Sequence, residues 1–120
     1  MIAFIGIGGI LGTLSRFYLG KWIFMKTGGK LPWGTFIINL SGSFILGLLF
    51  GLFEQHALPL WFYNMFGIGY CGAYTTFSTF GYETNQLFEQ KLYTQASLYI
   101  LGSVLLGLLF AFMGLTLARL

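Results

Sequence analysis

Residues 72–80 read Gly-Ala-Tyr-Thr-Thr-Phe-Ser-Thr-Phe, and this stretch decides how the chain folds. It places small residues and five hydroxyl-bearing side chains inside a segment that is otherwise apolar enough to span a membrane. Backbone that leaves regular helical hydrogen bonding at membrane depth is tolerated only where protein or a water-filled cavity satisfies its polar groups. The stretch therefore indicates either a seam between helices or a place where a polar species crosses the bilayer.

The composition of the whole chain is that of a membrane protein. Of its 120 residues, 57% are hydrophobic and 8% are charged, whereas a water-soluble domain carries about 25% charged residues. A helical span needs roughly 20 apolar residues, and four segments qualify: residues 2–24, 32–53, 60–88 with a break near 72–76, and 93–118. The sequence predicts an all-α membrane protein, a single domain of residues 1–120 with four transmembrane helices, the third of them broken.

The basic residues indicate orientation in the membrane. The first segment has no basic residue before its apolar run, so we expect a retained span rather than a cleaved signal peptide. Lys21, Lys26, Lys30 and Lys91 lie on the side of the first and third loops, and only Arg119 lies near the other side. This bias favours those two loops inside the cell. The net charge of +3 reflects anchoring at the membrane surface and not nucleic-acid binding.

The second helix carries a polar face. Thr35, Asn39, Ser43, Gly47 and Gly51 are each four residues apart, which places them along one gently winding face. Small and hydroxyl residues let membrane helices approach closely, so the Ser43–Gly51 part is typical of a packing seam. Asn39 indicates more, because its amide is costly in lipid unless its donors and acceptors are satisfied.

The first and fourth helices offer further polar groups. Tyr99 and Ser103 share a face with Gly107, so they could line a pathway or belong to a seam. Arg16 precedes Lys21 by five residues, and snorkelling to the interface explains it as well as attraction of anions at a pore mouth does.

The chain lacks the groups that acid–base chemistry requires. It has three acidic residues and one histidine, none of them at the centre of a predicted helix. A buried proton relay or a nucleophile–base pair is therefore hard to build, and we expect no enzyme. The edge of a phenylalanine ring carries partial positive charge, so Phe77 and Phe80 could solvate an anion, although ordinary packing also explains them. An unwound helix can also turn its carbonyls towards a cation. A neutral, hydroxyl-rich interior suits a small dehydrated anion.

The sequence resembles the Fluc (CrcB-type) fluoride channels over nearly its whole length. The most specific match is Gly72-x-x-Thr-Thr-Phe-Ser-Thr-Phe80 followed by Glu83. Supporting matches are Gly8–Gly9-x-x-Gly12-x-x-x-Arg16–Phe17, then Pro32-x-Gly34–Thr35-x-x-x-Asn39-x-x-Gly42–Ser43–Phe44, and Tyr99 with Ser103. The resemblance implies a passive channel in a prokaryotic cell membrane that exports cytoplasmic fluoride and so protects against fluoride toxicity.

The resemblance also implies an assembly and a division of roles. The channel would be an antiparallel, dual-topology homodimer with two pores, although the lysine bias leaves open a heterodimer with a homologue. The anion pathway would comprise Phe77, Phe80, Asn39, Ser103, Thr79, Tyr99, Arg16 and Glu83. The backbone carbonyls of Gly72 and Thr75 from both subunits would hold a structural sodium ion. The alternative is a small multidrug-type, proton-coupled exporter, but the first helix lacks the carboxylate that such coupling needs.

Overall fold

The computed structural model describes residues 2–120 and contains helices but no strand among them. In chain order the elements are α1 (Ile2–Thr27), α2 (Trp33–Glu54), α3 (Leu60–Tyr63), a π-helical stretch (Asn64–Cys71), α4 (Gly72–Tyr74), α5 (Ser78–Glu89) and α6 (Tyr93–Ala118). The prediction of an all-α fold with a broken third helix is confirmed. The antiparallel dimer involves a second chain and stays a prediction.

Three of the helices are long and apolar enough to cross a membrane: α1, α2 and α6. The fold is 48 Å along its longest axis, comparable to a bilayer of about 40–45 Å including its headgroups. Large apolar side chains on these helices lie on the outside, as at Leu105 (63% exposed) and Phe112 (68%). Such a surface suits lipid and not water, and the chain is a multi-pass membrane protein.

The third span is irregular over a longer stretch than the sequence indicates. Its helical hydrogen bonding is already π-type from Asn64 to Cys71, and it is lost after one turn of α4. Thr75 is extended, with φ −79° and ψ 157°, and helix resumes at Ser78. The predicted break near 72–76 therefore lies at Thr75–Phe77, after a π-helical stretch that the sequence analysis did not foresee. Single π-helical turns are common at functional sites.

Glycines allow the helices to pack at close range. A Cβ at Gly114 of α6 would overlap the Phe44 carbonyl of α2, and one at Gly47 of α2 would overlap the Ala111 carbonyl of α6. The same relation joins α1 to the π-helical stretch, where a Cβ at Gly12 would overlap the Tyr70 carbonyl. The seam interpretation of Gly47 is thus correct, and α2 with α6 forms the most extensively packed pair of helices.

Candidate functional site

The broken segment is held by a side chain of α2. The carboxamide of Asn39 donates from Nδ2 to the Thr76 carbonyl at 3.1 Å, and its Oδ1 accepts from the Thr76 N–H at 2.9 Å. Both of these Thr76 groups lie outside the helical ladder, because the chain is extended there. One side chain thus satisfies both groups of Thr76, which explains how the break is tolerated at membrane depth.

Two N–H groups near the break are diverted from the carbonyls they would serve in a regular helix. The Thr76 N–H, which an α-helix would direct to Gly72, donates to Asn39 instead. The Thr79 N–H, which an α-helix would direct to Thr75, donates to Thr76 Oγ1 at 3.2 Å. This second contact caps the first turn of α5 in the manner of a threonine N-cap. The carbonyls of Gly72 and Thr75 thus lose their helical donors to side-chain oxygens.

Arg16 of α1 bonds to the main chain just before the break. Its Nε donates to the Ala73 carbonyl at 3.0 Å, and its side chain is half-buried. A guanidinium that serves a backbone carbonyl inside the fold does more than snorkel to the interface. Arg16 and Asn39 therefore contact the irregular backbone on its two flanks, at Ala73 and at Thr76.

A groove of about 330 Å³ runs beside the break between α2, the broken segment and α6. Four of the predicted pathway residues line it: Asn39, Phe77, Phe80 and Ser103. The Ser103 hydroxyl is buried and has no hydrogen-bond partner within residues 2–120. A buried donor without a partner costs free energy, so Ser103 is well suited to a polar guest in the groove.

Aromatic rings form one wall of the groove. The ring centroids of Phe77 and Phe80 are 6.1 Å apart, and those of Phe80 and Tyr99 are 5.0 Å apart, with interplanar angles of 40° and 45°. Phe77 is 85% exposed in the single chain. Tilted rings can present edges to a neighbour, and an edge carries partial positive charge. The groove thus combines aromatic rings with hydroxyl and amide donors.

A second cavity, of about 500 Å³, opens next to the groove and is called here the vestibule. Its lining includes Arg16, Thr79 and Glu83 from the predicted pathway, together with Lys21 and Lys30. The excess of basic side chains over the single carboxylate makes this cavity attractive to anions.

Tyr99 and Thr76 lie between the two cavities. The Tyr99 hydroxyl donates to Glu83 Oε1 at 3.4 Å, so this buried tyrosine contacts both the vestibule carboxylate and the Phe80 ring. Thr76 lines both cavities, and no other described residue does. The predicted pathway omits Thr76, although it stands inside the hydroxyl-rich run that indicated the break.

The structure thus brings seven of the eight predicted pathway residues to two adjoining cavities, and Tyr99 lines neither cavity but contacts Glu83 and Phe80 from a separate apolar cavity. Gly72 differs from the rest: it is exposed, and a Cβ there would meet nothing within 4 Å. Thr75 lines the groove, and its own hydroxyl donates to the Cys71 carbonyl. Among residues 2–120 there is no group of three or more His, Cys, Asp or Glu side chains that could hold a metal ion. A cation here would depend on backbone carbonyls.

Comparison with known proteins identifies relatives along almost the whole chain. The family model described as CrcB-like protein, Camphor Resistance (CrcB), matches residues 3–115. A protein of Moorella thermoacetica named fluoride-specific ion channel FluC 2 is 48% identical over 111 residues, covering 92% of this chain and 90% of that protein. A protein of Magnetococcus marinus named fluoride-specific ion channel FluC is 42% identical over 120 residues, covering 99% and 98%. A FluC 2 of Clostridium acetobutylicum is 44% identical over 110 residues, covering 92% and 91%.

Proposed function

Since the chain belongs to the CrcB-like protein family, we propose that it is a fluoride-specific ion channel that lets cytoplasmic fluoride leave the cell passively. It is not an enzyme, and its relatives are named as channels. The observation that carries the proposal is the groove, where the buried Ser103 hydroxyl and the Phe77 and Phe80 rings face the same space. An anion that loses its water there finds neutral donors and aromatic edges.

The two cavities suggest a route for the anion. Arg16, Lys21 and Lys30 would raise the local concentration of anions in the vestibule. The anion would then pass Thr76, which lines both cavities, and enter the groove. Favourable but weak contacts suit conduction, because an ion must leave the site as readily as it enters. Hydroxyls and ring edges supply such contacts without a full positive charge.

Passive movement is favoured over coupled export. Proton-coupled exporters need an ionisable group at membrane depth, and α1 contains no carboxylate. Glu83 is half-buried, but it lines the vestibule and accepts a hydrogen bond from Tyr99. The family match favours the channel and does not favour the multidrug-type alternative.

A structural sodium ion fits the broken segment. Chemically, a hard cation prefers oxygen ligands, and the helical donors of the Gly72 and Thr75 carbonyls bond to side chains instead. The exposed position of Gly72 would leave room for carbonyls of a second subunit. These two residues would hold the ion through their main-chain carbonyls.

The proposed assembly is an antiparallel dimer of this chain. The irregular segment exposes Gly72, Phe77 and Ser78 at its surface, and open backbone is not tolerated against lipid. A second copy would cover it. The uneven distribution of lysines remains a reason to test a heterodimer. At the end of the molecule away from the lysines, Arg119 forms an ion pair with Glu54 at 2.9 Å. That pairing leaves the unbalanced positive charge at the lysine end.

Ion efflux from liposomes tests the function directly. Liposomes carrying the purified chain and loaded with fluoride or chloride should lose fluoride without comparable loss of chloride, and without a proton gradient. Equal loss of both anions would refute selectivity, and a requirement for a proton gradient would support the exporter. Absence of any flux from the chain alone, restored by a co-reconstituted homologue, would replace the homodimer with a heterodimer.

A further inference from the structure

Asn39 lies where the sodium ligands and the anion groove meet. Its side chain lines the groove, and both of its polar atoms bond to the main chain of Thr76, at 3.1 Å and 2.9 Å. An asparagine amide has two N–H donors, so one remains for another partner. The resemblance implies only the direct role of donating to fluoride, whereas the geometry adds contacts to the backbone beside the proposed cation.

The contact at the Thr76 N–H competes with helix formation. In a continuous α-helix this N–H would bond to the Gly72 carbonyl four residues earlier. Asn39 Oδ1 accepts it instead, and this keeps the Gly72 carbonyl out of the helical ladder. Loss of the side chain would let the Thr76 N–H return to Gly72, because a buried N–H without a partner is costly. The carbonyl would then no longer be available to a cation.

The approach of α2 to the break is built into the sequence. Gly42, one turn after Asn39, faces the Thr75 methyl so closely that any Cβ would overlap it. Ser41 adds a hydrogen bond of 2.9 Å between its hydroxyl and that of Tyr74. These contacts bring Asn39 within reach of the main chain without touching the Thr76 N–H themselves.

We propose that Asn39 is a positioning residue for the cation at the break: by holding the Thr76 N–H, it frees the Gly72 carbonyl for sodium and couples sodium binding to the anion groove. The proposal rests on the proposed function, since it takes the sodium ion from there. The Asn39 side chain would then serve both ions. It would act on the cation through the main chain of Thr76, and on the anion through its second amide N–H.

Sodium affinity can be read without measuring transport. The full chain in detergent is titrated with sodium chloride, and N-methyl-glucamine chloride replaces sodium chloride so that the ionic strength stays constant. The thermal unfolding temperature is measured at each sodium concentration. The wild-type chain should be stabilised by sodium. Asn39→Ala should need about tenfold more sodium for half of the maximal stabilisation, the effect of roughly one or two hydrogen bonds.

Three further variants separate the possible causes. Ser41→Ala removes a hydrogen bond from α2 to the residue before the break, so it controls for general loosening, and its sodium titration should match wild type. Ser103→Ala alters the groove alone and should also match. Asn39→Asp can still accept the Thr76 N–H through a carboxylate oxygen, so it should keep sodium affinity within a few-fold of wild type while its negative charge lowers fluoride efflux.

The outcomes are distinct. An Asn39→Ala titration that matches those of Ser103→Ala and wild type would overturn the positioning role and leave only the direct role towards the anion. An equal shift in Ser41→Ala would also overturn it, because loosening would then be the cause. A wild-type chain that sodium does not stabilise would overturn both this inference and the sodium site, whereas fluoride-selective efflux from the same preparation would leave the channel proposal intact.

Discussion

The seam between α2 and α6 and the break at Thr75–Phe77 look alike in sequence but are used in opposite ways. Both combine hydroxyl-bearing residues with a nearby glycine, Ser43 with Gly47 in the seam and Thr75 with Gly72 at the break. In the seam, Gly47 and Gly114 each face a carbonyl of the other helix so closely that a Cβ would overlap it. At the break, a Cβ at Gly72 would meet nothing within 4 Å. The seam glycines therefore pack against backbone, whereas Gly72 beside the break faces open space and Gly42 packs against the Thr75 methyl.

The polar groups of the two regions also differ in where their hydrogen-bond partners lie. In the seam, Ser43 donates to the Asn39 carbonyl of its own helix, so its hydroxyl is satisfied locally. At the break, backbone groups bond to side chains of other helices, Asn39 and Arg16. Ser103 faces the groove with no partner among the described residues. Polarity in a membrane helix therefore indicates function where the surrounding helices leave it unsatisfied or satisfy it only with side chains distant in the sequence.

The largest expected effect comes from filling the seam. Gly114→Leu would force a side chain into the Phe44 carbonyl, and overpacking of this kind should destabilise the fold by about 3 kcal/mol or more. Thermal unfolding in detergent measures the loss. The matched control is Gly6→Ala in α1, where nothing lies within 4 Å of the added Cβ, and it should leave the unfolding temperature unchanged or raise it. Equal tolerance of both substitutions would abolish the distinction between a closed and an open glycine.

The next effect tests the aromatic wall of the groove. Phe80→Ile keeps an apolar side chain but removes the ring edge, so fluoride efflux from liposomes should fall about tenfold or more while the assembly remains intact by size-exclusion chromatography. Phe36→Ile is the matched control. The ring centroid of Phe36 is 6.4 Å from that of Tyr99, but Phe36 lines an apolar cavity and not the groove. Unchanged efflux in Phe80→Ile would remove the aromatic-edge hypothesis.

Much of the fold could be predicted because it follows from composition and period. Runs of about 20 apolar residues identify α1, α2 and α6, whose observed bounds are Ile2–Thr27, Trp33–Glu54 and Tyr93–Ala118. The hydroxyl-rich run at 72–80 indicated the break. The π-helical stretch Asn64–Cys71 could not be predicted, since it depends on how closely α1 approaches. At Gly69, for example, a Cβ would overlap the Ile5 carbonyl.

The residues of the site could be predicted better than the contacts that they make. Of the eight pathway residues that the resemblance named, the structure brings all but Tyr99 to two adjoining cavities. It did not indicate that Asn39 bonds to the Thr76 main chain or that Arg16 bonds to the Ala73 carbonyl. Spacing along a helix predicts which face a residue occupies. It does not predict which backbone group on another element will face it, because that depends on tertiary packing.

A smaller effect distinguishes charge from contact at Arg16. Arg16→Lys keeps the positive charge of the vestibule but loses the Nε donor to the Ala73 carbonyl, so efflux should fall about fivefold if that contact shapes the break. Lys21→Arg, which also lines the vestibule, is the matched control and should keep wild-type efflux. If Arg16→Lys conducts like wild type while Arg16→Gln does not, charge alone accounts for the role of Arg16.

The smallest effect carries the clearest sign, because stability and conduction should move in opposite directions. The Ser103 hydroxyl is buried without a partner among residues 2–120, and such a group destabilises a fold. Ser103→Ala should therefore leave stability unchanged or raise it by up to about 1 kcal/mol, while fluoride efflux falls several-fold. Ser43→Ala supplies the contrast, since Ser43 also lines the groove but its hydroxyl already bonds to the Asn39 carbonyl, so its removal should not stabilise the fold. A loss of stability in Ser103→Ala would mean that its hydroxyl serves the packing of α6, and the two regions would then differ less than their geometry indicates.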